Sequence, residues 1–186
     1  PTHAGAIEAL ERIYRKSEHW TPLRTLLEHA GRSGARDQRP AHLCALGELL
    51  LERFDDPDGA ADAYAAALAL DHTCAAAHRG RQALAARGGD PDSLLAAYEN
   101  EAEVTTDRAR LRFLYGELVR LLVERERPEA ALAWAERWIA VAPQEVEALE
   151  IARRLHRELG HDAPRVAALA RLDPLLPAAE QAALRR

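Results

Sequence analysis

The chain reads as all-α, an α-solenoid of about five helix-turn-helix repeats with a short C-terminal helix, and three observations predict this. Of its 186 residues, 40 are Ala, 28 Leu and 24 Arg, whereas Val, Ile and Thr together total 16; helices draw on the first group and strands on the second. Pro22, Pro57, Pro91, Pro128 and Pro164 recur at intervals of 35, 34, 37 and 36 residues, a period that marks stacked two-helix units. Within a unit the apolar residues occupy two faces, and an isolated unit cannot bury both.

The first repeat (1–35) pairs helices over 4–17 and 22–31, the second of them opening at Thr21-Pro22. The second (36–71) pairs 40–54 with 57–70. There Asp56-Pro57 marks a helix start, because a short polar side chain caps the first N–H groups and Pro suits a first position that needs no N–H partner. Asp90-Pro91 gives the same signal in the third repeat (72–106), with helices over 74–87 and 91–104. The fourth (107–142) follows the break at Thr105–Asp107 and pairs 108–126 with 128–141. The fifth (143–176) follows Pro143 and pairs 144–159 with 164–171, after which a helix over 177–186 begins at Pro177. On 108–126, Leu111, Leu114, Tyr115, Leu118 and Leu122 form one stripe and Val119 and Val123 a second. Gly116 lies between them and lets a neighbouring backbone come close.

Ala60, Tyr64 and Ala67, at spacings of four and three, make Asp58–His72 resemble the second helix of a tetratricopeptide repeat. Leu46-Gly47 is similar to the large-then-small pair of that family's first helix, and Tyr115-Gly116, Ala131 and Pro143 echo the pattern in the fourth repeat. Several positions depart from it. Ala135 stands where an aromatic is usual, Trp138 where a small residue is, and Glu101 and Arg32 replace small residues in the third and first repeats. The resemblance covers residues 4–176 and implies one repeat domain over 1–186, wound as a right-handed superhelix. It also implies a scaffold function, with a peptide or protein partner bound along the concave face formed by the first helices.

Little in the sequence supports chemistry. Gly31-Arg32-Ser33-Gly34 has neither the preceding strand nor the following Lys-Ser/Thr of a phosphate cradle, and Ser17, Ser33 and Ser93 sit in no nucleophile elbow. Cys74 and His78 are four apart on one helix, with Cys44 and His42 on the equivalent helix before it. Only two of these fall on a common face, and tetrahedral zinc needs more, so the thiols read as small core residues. No catalytic, cofactor or metal role is assigned. The net charge of −5 lacks the attraction to phosphate that nucleic-acid binders use, and no apolar run reaches the roughly 18 residues of a membrane helix. Two cysteines point to a reducing compartment, and Arg over Lys to a GC-rich genome; the expectation is a bacterial, cytoplasmic protein. Lacking Met and beginning at Pro1, the chain reads as part of a longer protein.

Carried onto this sequence, the resemblance places Arg12, Glu48, Arg81, Glu117 and Arg153 on the inner column. One turn earlier come Glu8, Cys44, Ala77, Phe113 and Leu149, and about one turn later Arg15, Leu51, Leu84, Arg120 and His156. Two readings stay open. The alternating charges pair between helices and fix register, or Phe113, Leu149 and Leu51 offer apolar pockets while Arg81, Arg120 and Arg153 hold acidic groups. Family members that hold the C-terminal carboxylate of heat-shock chaperones use groove Asn and Lys, but the single Asn100 and Lys16 lie off the inner column. The alternative to a scaffold is a regulatory or self-association module of a multidomain enzyme or signalling protein, forming homo-oligomers through the array ends.

Overall fold

The computed structural model describes residues 2–175 and is built of α-helices with one short 3-10 turn. The helices are α1 (Thr2–Lys16), α2 (Trp20–Ser33), α3 (Arg39–Arg53), α4 (Pro57–Leu70), α5 (Ala75–Gly88), α6 (Pro91–Val104), α7 (Arg108–Glu124), α8 (Pro128–Val141), α9 (Val146–Glu158) and α10 (Asp162–Leu172), followed by the turn Asp173–Leu175. The helix expected over 177–186 lies outside the described residues.

Proline and aspartate set several of these starts. Asp56 accepts a hydrogen bond from the Gly59 amide at 2.9 Å, and Asp107 accepts one from the Ala109 amide at 2.9 Å. Pro57 and Pro128 open α4 and α8. Thr21-Pro22 does not open α2, which begins at Trp20 with His19 before it and no capping side chain; likewise Pro164 lies two residues inside α10. Proline is accepted there because the first-turn N–H groups have no helical partner to lose.

The turn inside each predicted repeat holds one residue in the left-handed region. These are Glu18, Asp55, Gly89, Glu126 and Gly160, with φ of 56°, 50°, 67°, 54° and 73° and separations of 37, 34, 37 and 34 residues.

The helices divide into two compact units, Pro1–Ala97 and Tyr98–Arg186. In the first, Leu23 and Leu27 of α2 meet Leu46, Leu49 and Leu50 of α3 and Ala60, Ala63 and Tyr64 of α4. The Tyr64 ring is 2 % exposed and sits against two glycines. A Cβ on Gly47 would come within 2.7 Å of it, and one on Gly80 within 2.3 Å. The glycines of α3 and α5 therefore form a seat for the ring of α4. A second cluster joins Leu43 and Cys44 of α3 to Ala67 of α4 and Ala77 of α5.

In the second unit α7 packs on α8, α8 on α9 and α9 on α10. Its buried residues include Leu114, Leu118, Val119 and Leu122 of α7, Ala131 and Ala135 of α8, and Ala148, Leu149, Ala152 and Leu155 of α9. Gly116 receives an aromatic ring here too, but from Trp138, whose indole would stand 3.2 Å from an added Cβ. The aromatic has moved one turn along α8, from the place of Ala135 to that of Trp138.

Candidate functional site

Phe113 is 47 % exposed, although Cys44, Ala77 and Leu149, aligned with it in three of the other repeats, are buried; only the charged Glu8 of the first repeat is exposed as well. Its ring is held rather than loose. Tyr98 packs edge-on with centroids 6.3 Å apart, and the Arg110 guanidinium lies 4.9 Å from the ring centre. Arg110 is itself fixed by two 2.7 Å hydrogen bonds to Glu101, which is 2 % exposed. This fork explains a polar residue where small ones are usual: both carboxylate oxygens are satisfied by one planar donor, and the pairing raises the Arg110 pKa.

Phe113 borders a cavity of about 310 Å³ in the second unit, whose lining also includes Arg112, Glu117, Arg120, Trp138, Glu145 and Glu147. Arg120 donates to Glu117 at 2.8 Å along the same helix, and Arg112 pairs with Glu145 from the start of α9. The indole N–H of Trp138 is buried and meets no acceptor among the described residues. An apolar ring and charged groups of both signs thus converge on one concavity, a composition suited to an extended chain with a hydrophobic anchor.

The other expected inner-face residues are dispersed. Leu149 is 0 % exposed; it belongs to the core under α9 and cannot line a surface, which corrects the expectation of an apolar pocket there. Arg153 is partly buried, with its Nε shielded from solvent and unpartnered. Arg12 is exposed on α1, beside a shallow concavity shared with Glu8 and Lys16. Glu48 is exposed on α3. Arg81, half-buried on α5, borders a cavity of about 480 Å³ in the first unit with Asp58, Leu84 and Ser93. Charged pairs between separate elements among the described residues include Arg87 with Asp55, Arg110 with Glu101 and Arg112 with Glu145, all off the column. Glu117 pairs within its own helix instead, and among the described residues no ion pair links two members of the column.

Among the described residues no three His, Cys, Asp or Glu side chains converge as a metal site, and no helix is long and apolar enough to cross a membrane. Sequence reasoning missed the Glu101–Arg110 fork and the Trp138 donor. The first had a signal, an acid and an arginine nine residues apart across a helix break; the second had none.

No family model matches the chain, and no curated protein matches it. Solved structures do resemble it. MamA from Desulfovibrio magneticus superposes with a TM-score of 0.52 at 14 % identity, covering 94 % of this chain and 96 % of that one. YrrB, described as a TPR protein with an unusual peptide-binding site, gives 0.52 at 18 % identity over 78 % and 73 %. A tetratricopeptide repeat protein from Parabacteroides merdae gives 0.50 at 15 % identity over 97 % and 83 %. At such identities the likeness concerns the backbone, and with the helix pairs described above it makes the fold that of a divergent, TPR-like helical repeat array.

Proposed function

We propose that this chain is a protein-interaction scaffold that binds a peptide or protein segment, and that the cavity beside Phe113 is a contact site. The observation that carries the reading is Phe113 itself. A large aromatic ring stands half-exposed at a position that is core in three aligned repeats, yet is braced by Tyr98 and Arg110. A ring already immobilised in this way gives up little entropy on binding, which is the property of an interface anchor. The resemblance to YrrB, whose description includes a peptide-binding site, supports the same class of function. Catalysis has no part in this reading, and the cytoplasm remains the location it favours.

Peptides selected from a random library on the wild-type protein test the site. Phe113→Ala should weaken them by about 10- to 100-fold, and Arg120→Glu should change which charges are selected. Peptides that bind both variants as tightly as the wild type would place binding elsewhere. A second reading, association of copies through α1, is favoured by Leu10 and Ile13, which are 39 % and 54 % exposed.

A further inference from the structure

Cys44 lies in the middle of α3 and Cys74 immediately before α5, 30 residues apart in sequence, with their sulfur atoms 3.7 Å apart. We propose that these two thiols form a reversible redox site, which a small-molecule disulfide closes into a cross-link between α3 and the start of α5.

The surroundings give each thiol a different part. Cys44 is 4 % exposed and packed with Leu43, Ala67 and Ala77, so a reagent in solution does not reach it first. Cys74 is partly exposed. Its side chain makes no capping hydrogen bond, and among the described residues its sulfur contacts only the Cys44 sulfur, so turning about its first side-chain bond towards Cys44 shortens that contact and breaks no other hydrogen bond. A disulfide needs its sulfurs about 2.05 Å apart, and rotation of a partly exposed side chain at the edge of a helix can supply an approach of that size. Ala77, the first buried residue of α5, packs in the same cluster as Leu43 and Cys44, and its small side chain lets α5 start close against α3.

A metal is the competing use of two thiols, and the nearby histidines do not complete a site. His78 Nε2 is taken by the His72 carbonyl at 2.9 Å, and no third ligand converges among the described residues.

The exchange balances in two steps. The Cys74 thiolate attacks one sulfur of a small disulfide such as oxidised glutathione, forming a mixed disulfide and releasing one small thiol. Cys44 then gives up its proton and attacks Cys74 Sγ, displacing the second small thiol, which takes up that proton. Two protein thiols are oxidised by two electrons, and one small disulfide is reduced to two thiols. Burial, with Cys74 alongside, pushes the Cys44 thiol up to about 12. The second step is accordingly the slow one, and Cys44 serves as the resolving thiol rather than the entry point.

The test equilibrates the full chain in mixtures of reduced and oxidised glutathione, in buffer and in concentrated urea, then traps the thiols and weighs the products. The ratio of protein disulfide to free dithiol gives an effective concentration of one thiol at the other. A flexible loop of this length supplies an effective concentration on the order of millimolar in the unfolded chain. The native protein should exceed its urea value by about tenfold or more, and the product should be a monomer lighter by two hydrogens. Cys44→Ser should stop at the mixed disulfide on Cys74. A native value at or below that in urea, a mixed disulfide that persists with the other thiol unreacted, or disulfide-linked dimers as the main product would each overturn the proposal.

Discussion

A buried ring whose neighbours are glycines leaves no room for a methyl group, and Tyr64 has two such neighbours. Gly80 is the tighter, since an added Cβ would lie 2.3 Å from the ring against 2.7 Å at Gly47. Tyr64 cannot retreat, because Leu46, Ala60 and Ala63 enclose it. Gly80→Ala should therefore destabilise the protein by about 2–3 kcal/mol through overpacking, despite alanine's better helix propensity. Urea unfolding measures this, and an unchanged or raised midpoint would show that the ring moves aside. The Glu101–Arg110 fork belongs to the same scale. It satisfies a carboxylate that is almost without solvent, and its guanidinium also braces Phe113, so a packing solution doubles as support for the candidate contact site.

At the scale of helices and turns, one left-handed residue closes each turn inside a repeat, and two of the five are glycine. Glu126 adopts φ 54° with a Cβ that disfavours it, so Glu126→Gly should stabilise by about 0.5–1 kcal/mol; a lower thermal midpoint would mean that the side chain offsets the strain. α9 carries a pH effect. Burial holds His156 below its ordinary 6.5, Glu136 opposes this and His161 adds to it. The unfolded chain thus takes up a proton that the folded one resists. Stability should fall as pH drops below 6.5, then level off below the depressed native value. Denaturant midpoints from pH 7.5 to 5 should show this slope, and it should flatten in His156→Gln; parallel losses in both proteins would assign the slope to other groups. Much of this scale was legible in the sequence. Pro57, Pro91 and Pro128 lie at the first residue of their helices, because proline and a preceding cap act locally. Pro22 and Pro164 misled by two residues because proline fits anywhere in a first turn. The inner column was legible only in part. Periodicity gives the face of a helix but not what covers it: Leu149 is enclosed, whereas Phe113 at the aligned position is open.

For the molecule as a whole, charge and exposed apolar surface limit what it meets. The net charge of −5 is unevenly spread. Residues 36–71 carry three bases and eight acids, and 72–106 carry three and five, so a basic partner surface would be drawn to the middle of the sequence. Leu10 and Ile13 give α1 an apolar face, and a helical repeat with such a face tends to stack on another. If copies associate there, sedimentation should show concentration-dependent dimers that Ile13→Glu abolishes; dimers unaffected by the substitution would move the contact off α1. The seat of Tyr64 has one more consequence, for how the protein can be watched. Burial pushes its phenol up to about 12, above the roughly 10 at which an exposed tyrosine ionises. In an alkaline titration its phenolate absorbance should lag behind that of an ordinary tyrosine until the first unit opens. Trp138, buried over Gly116, contributes an emission that shifts to the red when the second unit unfolds, separated from that of Trp20 and Trp134 by the substitutions Trp20→Phe and Trp134→Phe. The two ring-on-glycine contacts thus place an intrinsic optical group in the core of each unit, read without a label once the other tryptophans and tyrosines are replaced.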